Sequence, residues 1–234
     1  MIGSRATVGC LLALVVLVLV GCGGSRPTAS DRARPILVAA LGDGVTAGSP
    51  GYDPNRGLRR LLGFGDNPGS QWEYWAANKY PRYSFRNCGV YGQRTDEIAR
   101  RLNACAAGAA ILVVGGGMED IRQGRRVQVA ARNIDGIVRR AKKLGLHVEV
   151  TELIPWNNRY PAADRKIREL NALIHQLARA EQVAVLPFYK VLEDPSHPGR
   201  MKNTWTAEGD YPSAIGYQRL GELAFRPPQP PQRR

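Results

Sequence analysis

Apolar runs of strand length recur along this chain, at Ile36–Leu41, Ala110–Val114, Val148–Leu153 and Val183–Leu186, with a weaker one ahead of Asn87. Helical patterns fill the intervals, near Gln71–Asn78, Thr95–Asn103, Val127–Leu144, Ala162–Glu181 and Ala214–Leu223. Within Asp164–Glu181 the apolar residues Ile167, Leu170, Leu173, Ile174 and Leu177 keep the spacing of one helix face. Apolar strands that alternate with helices belong to a parallel sheet covered on both faces. Right-handed crossovers then predict an α/β fold, a three-layer α/β/α sandwich with a central parallel sheet of the flavodoxin-like kind. In such sheets a site forms beyond the carboxyl ends of the strands. The loops after residues 41, 88, 114 and 153 are therefore expected along one edge.

The ends of the chain read differently. Arg5 precedes an apolar run, Leu11 to Val20, that is too short to span a bilayer. Leu19-Val20-Gly21-Cys22 follows and resembles the lipobox of bacterial lipoproteins. The resemblance implies cleavage before Cys22 and lipid attachment to it. The simpler alternative is an ordinary signal peptide that happens to end at a cysteine. The expected organisation is a signal peptide over 1–21, a lipidated tether over 22–35, a folded domain over 36–225 and a Pro-rich tail over 226–234. The expected location is outside the cytoplasm, lipid-anchored to a bacterial membrane.

Removal of Cys10 and lipidation of Cys22 leave Cys88 and Cys105, an even pair in an oxidising compartment. A helix of about ten residues between them would carry the chain roughly 15 Å. Bridged cysteines need Cα atoms within about 7 Å. A disulfide therefore requires the chain to fold back, and the sequence leaves it open. The net charge is +13, spread along the chain without an aromatic-interleaved basic block. An arginine-rich solvated surface accounts for it, and no nucleic-acid partner is expected.

Four blocks carry the chemistry. Gly42-Asp43-Gly44-Val45-Thr46-Ala47-Gly48 follows the first strand, and Asn87-Cys88-Gly89-Val90-Tyr91-Gly92 follows the second. Gly115-Gly116-Gly117-Met118-Glu119-Asp120 follows the third, and Glu208-Gly209-Asp210-Tyr211-Pro212 lies near the end. In order and spacing these blocks resemble those of the SGNH/GDSL hydrolases. The resemblance implies that position 44 would hold the serine nucleophile and that Gly92 matches the oxyanion-hole glycine. It also implies an oxyanion-binding asparagine at 119, a base histidine at 211 and its orienting aspartate at 208. The chain instead has Gly44, Glu119, Tyr211 and Glu208. Glycine has no nucleophile. A phenol, with an ordinary pKa near 10, is a poor base at neutral pH. An ionised carboxylate only accepts hydrogen bonds and opposes a developing oxyanion.

Displaced machinery would have to use other residues. Ser49 lies past the turn, and Ser213 fits the cap of the last helix. His147 opens a strand, His175 sits in a long helix, and His197 lies in the loop Asp194-Pro195-Ser196-His197-Pro198. Of these, only His197 remains a candidate. Asp43, Glu119 and Glu208 would converge at the strand ends, with Asp120 and Asp210 nearby. They make either an acidic cleft or a set of capping and paired surface carboxylates. In the loop Ile154–Pro161, Trp156 and Tyr160 either stack on a sugar ring or acyl chain, or pack into the core. The expected ligand-binding set is Asp43, Glu119, Trp156, Asn157, Glu208 and Tyr211. No motif calls for a metal or another cofactor. The expected role is binding or scaffolding, with the membrane as one partner and an envelope glycan or acylated molecule as the other. The alternatives are an esterase that uses displaced residues and a structural envelope protein.

Overall fold

The computed structural model describes residues 34–228. The expected signal segment, Cys22, most of the tether and the end of the Pro-rich tail lie outside the described residues. Five parallel strands form the central sheet: β1 (Ile36–Gly42), β2 (Tyr83–Gly89), β3 (Ile111–Val114), β4 (His147–Thr151) and β5 (Ala184–Leu186), in the order β2-β1-β3-β4-β5. Strand alternation divides their side chains between two cores. Ala39, Leu41, Leu112, Val114, Val148 and Val150 point to one, and Val38, Ala40, Ile111, Val113 and Leu186 to the other.

The first core is covered by α4 (Thr95–Arg100), α5 (Leu102–Ala106), α7 (Val127–Lys143) and α8 (Asp164–Glu181). Ile134, Ile137, Val138 and Ala141 of α7 and Ile167, Leu170, Ile174 and Leu177 of α8 are buried there. The second is covered by α3 (Trp72–Lys79), α9 (Phe188–Leu192) and α10 (Ala214–Arg219), the last running into a π-helical turn over Leu220–Ala224. Its centre is Trp72, whose ring lies 5.7 Å from Phe85 and Phe188 and 5.8 Å from Phe225. This is the expected three-layer sandwich. Short elements complete it: α1 (Gly44–Ala47), α2 (Arg56–Leu62), α6 (Met118–Arg122) and the hairpins β6/β7 (Glu193–Asp194, His197–Met201) and β8/β9 (Thr206–Ala207, Tyr211–Pro212).

The structure corrects the expected continuous helix over Thr95–Asn103. Arg101 interrupts it between α4 and α5. Its guanidinium turns inward to the carbonyls of Cys88 and Gly42 (the latter at 2.9 Å) and to Gln93 Oε1 at 2.8 Å. The break folds the chain back, and Cys88 and Cys105 are bridged with Cα atoms 6.0 Å apart. Arg86 reinforces the same return by donating to the carbonyls of Cys105 and Ala107, at 2.9 and 2.6 Å.

Candidate functional site

The loops after β1, β2, β3 and β4 meet at the carboxyl edge of the sheet, as strand polarity requires. At the end of β1, Asp43 caps α1 and accepts from Val45 N at 3.0 Å. Gly89, at the end of β2, must be glycine, because a Cβ there would lie 2.0 Å from Ala47 N. That close approach sets the turn bearing Tyr91 and Gly92 beside α1.

The loop after β3 leads into α6, which presents Glu119 and Asp120 in different directions. Asp120 is buried and accepts from Thr95 N at 2.9 Å and Thr95 Oγ1 at 3.0 Å. Asn133 donates to the same hydroxyl at 2.9 Å, so Asp120 ties α6 to α4 and α7. Glu119 reaches the cleft. One turn along its helix, Arg122 donates to Glu119 Oε2 at 2.7 Å. Glu119 is thus half of an ion pair on the cleft wall.

The hairpin β8/β9 supplies the opposite wall. Glu208 and Gly209 both have positive φ, 53° and 81°, and make its turn. The Glu208 carbonyl accepts from Asn158 at 2.6 Å, while the residue itself is exposed. Glu208 is therefore outside the cleft, contrary to the expected convergence, and Asp210 lines the wall instead. Asp210 accepts from Trp156 Nε1 at 2.6 Å and Asn158 Nδ2 at 2.8 Å, joining the hairpin to the loop after β4.

Together these loops enclose a cleft of about 350 Å³ lined by Val45, Tyr91, Met118, Glu119, Arg122, Trp156, Asn158, Arg159, Asp210 and Tyr211. Of the expected set, Glu119, Trp156 and Tyr211 line it. Asp43 is buried nearby without being a lining residue. Asn157 points away: its side chain donates to Met201 O at 2.9 Å and accepts from Met201 N at 2.7 Å, pinning β7. Asn157 and His197 belong to a separate recess, where His197 is held 3.0 Å from Asp194. Tyr160 lies under Arg200, whose guanidinium is 4.5 Å from its ring. His175 pairs with Glu152 at 2.8 Å, and Ser213 caps α10 by accepting from Gly216 N. Arg122 could have been anticipated from its position one turn after Glu119. The inward placement of Asp210 depends on the hairpin turn and has no sequence signal of its own.

Gly44 lies directly beneath Tyr211. A Cβ at Gly44 would stand 3.0 Å from Tyr211 Cε1, 3.1 Å from its hydroxyl and 3.3 Å from Cζ. The phenol thus fills the space that a side chain at position 44 would need. Burial raises the Tyr211 hydroxyl above the usual phenol range, and the nearby carboxylates of Asp43, Glu119 and Asp210 reinforce the shift. It remains protonated at neutral pH. Burial pushes Asp43 up to about 6, partly offset by the Val45 N–H, with Glu119 and Asp120 pushing in the same direction as burial. Among the described residues, no serine, threonine, cysteine or histidine lines the cleft. Among the described residues no cluster of carboxylates, histidines or cysteines is arranged to hold a metal.

A sequence model of the GDSL-like lipase/acylhydrolase family matches residues 40–219. The chain belongs to this family. No curated protein sequence matches it. Several solved structures share its fold. A protein assigned to the lipolytic G-D-S-L family from Desulfitobacterium hafniense is 19% identical, with a TM-score of 0.65 over 80% of this chain and 96% of that one. A lipolytic G-D-S-L family member from Veillonella parvula is 17% identical, with a TM-score of 0.64 over 80% and 94%. A GDSL-like lipase from Bacteroides thetaiotaomicron is 20% identical, with a TM-score of 0.60 over 82% and 88%. The first and last parts of the matched stretch meet in space here, with Gly44 beside the Tyr211 ring.

Proposed function

We propose that this family member binds a ligand in the cleft and does not hydrolyse it as a serine esterase. The observation that carries this reading is the contact between Gly44 and Tyr211. Three changes act together: the nucleophile position has no side chain, a protonated phenol occupies the space above it, and Glu119 is engaged by Arg122. Acyl transfer needs a nucleophile with a base in hydrogen-bond reach and donors aimed at the oxyanion. The cleft lining supplies carboxylates, arginines, an asparagine and aromatic rings.

That lining suits a hydroxyl-rich ligand. Tyr91 and Tyr211 offer half-buried aromatic faces, with ring centroids 6.1 Å apart. Asp210, Asn158 and the Glu119–Arg122 pair provide acceptors and donors around them. Two carboxylates face two arginines, so the lining favours no strongly charged ligand. We place the protein outside the cytoplasm, held to a membrane through Cys22, with an envelope glycan as its ligand; the lipobox-like segment supports this placement.

Thermal shift of the Cys22→Ser protein with cell-wall glycan fragments tests the reading. A fragment at about 100 times its Kd should stabilise the fold by about 2.7 kcal/mol, or roughly 5–10 °C for a domain of this size. Tyr91→Ala should abolish the shift. No shift with any fragment would instead favour a structural envelope role.

A further inference from the structure

We infer that a cationic recess beside the cleft takes an anionic substituent, a carboxylate or a phosphate, carried by an otherwise hydroxyl-rich ligand. This assignment rests on the cleft being a binding site, as proposed above, and adds the charge of one part of the ligand. The recess measures about 140 Å³ and is lined by Arg122, Arg159 and Lys166 together with Trp156, Ile121 and two alanines. Arg122, Trp156 and Arg159 also line the cleft, so the two spaces adjoin across these side chains. A ligand seated in the cleft has only this shared rim to cross.

The charge balance differs between the two spaces. Within the cleft, Glu119 and Asp210 offset Arg122 and Arg159. No carboxylate lines the recess. Arg122 spends its Nε–H on Glu119, and its two Nη groups have no acceptor among the described residues. Arg159 makes no ion pair among the described residues, and its guanidinium lies 5.6 Å from the centre of the Trp156 ring. Lys166 is half-buried, with neither an ion pair nor a hydrogen-bond acceptor among the described residues. The acidic residues that flank it in α8 are engaged elsewhere. Asp164 accepts from Arg168 at 2.9 Å and Tyr189 at 2.7 Å, and Glu169 accepts from Gln128 at 2.8 Å. Solvated arginines and lysines on an open surface need no partner. Here three cations share one concave space that no acid enters, a composition that recognises an anion.

Size and donor geometry indicate what the recess holds. Its 140 Å³ is less than half of the cleft's 350 Å³, which suits a substituent rather than a second body of the ligand. Guanidinium forks present paired N–H donors that match carboxylate or phosphate oxygens, and the lysine adds a point charge. The near-neutral cleft then holds the hydroxyl-rich part, and the recess selects ligands that carry a negative group.

Calorimetric titration of the Cys22→Ser protein with two matched pairs of probes tests the inference. One pair is the disaccharide of N-acetylglucosamine and N-acetylmuramic acid, with its carboxylate free or as the methyl ester. The other is N-acetylglucosamine with and without a 1-phosphate. The charged member of at least one pair should bind about tenfold more tightly than its neutral partner, and high salt should shrink that gain. The pair that shows the gain tells carboxylate from phosphate. Lys166→Gln should cut the gain by about fivefold and leave the neutral partner's affinity unchanged, while Lys166→Arg should retain the gain. Equal affinities within both pairs would overturn the recess and leave the cleft reading standing. A gain that Lys166→Gln does not reduce would also overturn it, because the anion would then sit elsewhere. Binding by none of the four probes would overturn the recess and the cleft reading together.

Discussion

Substituting alanine at Gly44 measures the contact on which the site depends. Gly44 is the first residue of α1, and elsewhere in a helix such a change gains up to about 1 kcal/mol. Here the new methyl would meet Tyr211 at 3.0–3.3 Å, inside the ordinary carbon contact range of about 3.5–4.0 Å. The phenol would have to retreat by about 0.5 Å. Overpacking of this kind costs about 1–3 kcal/mol. Gly44→Ala alone should therefore destabilise the protein by about 0.5–2 kcal/mol. In a Tyr211→Ala background the same change should be neutral or slightly stabilising. Urea denaturation followed by circular dichroism gives all four corners of the cycle. The expected coupling is about 1–2 kcal/mol. Additivity within about 0.3 kcal/mol would mean that the ring does not rest on Gly44, and the steric argument would fail.

Two further predictions concern the framework. Glu149 lies in the middle of β4, 2% exposed, with one carboxylate oxygen unpartnered and His147 3.8 Å from the other. Burial pushes it from its ordinary 4.5 to about 7, so its contribution to stability is full below about 4.5 and is lost as pH rises through 7. Glu149→Gln should match the parent near pH 4 and exceed it by about 3 kcal/mol near pH 8; parallel pH–stability curves would contradict this. Removing the Cys88–Cys105 bridge, with its sequence separation of 17, by double alanine substitution should cost about 3 kcal/mol in the same assay. An unchanged denaturation midpoint would contradict the bridge.

The layers of the fold were legible because periodicity records burial. Val38 and Ala40 face one core while Ala39 and Leu41 face the other, and the helical stripe through Ile167, Leu170 and Ile174 is buried. Single-residue interruptions were less visible. The apolar pattern of Thr95–Asn103 continues through Arg101, and only the inward carbonyls that receive its guanidinium explain the break. Helix α2 has no fully buried residue, so little core demand shaped its pattern. At the site, the substitutions at Gly44, Glu119 and Tyr211 could be read directly from their blocks. Which carboxylate entered the cleft could not, because Glu208 and Asp210 are separated only by a turn that puts one in solvent and the other on Trp156.

The most direct test of non-hydrolytic binding is reaction of the Cys22→Ser protein with a serine-directed fluorophosphonate, read by intact mass alongside turnover of short acyl esters. The expected result is an unmodified mass and no ester cleavage above the uncatalysed rate. A stoichiometric phosphonyl adduct accompanied by ester turnover would contradict the reading and reveal a displaced nucleophile.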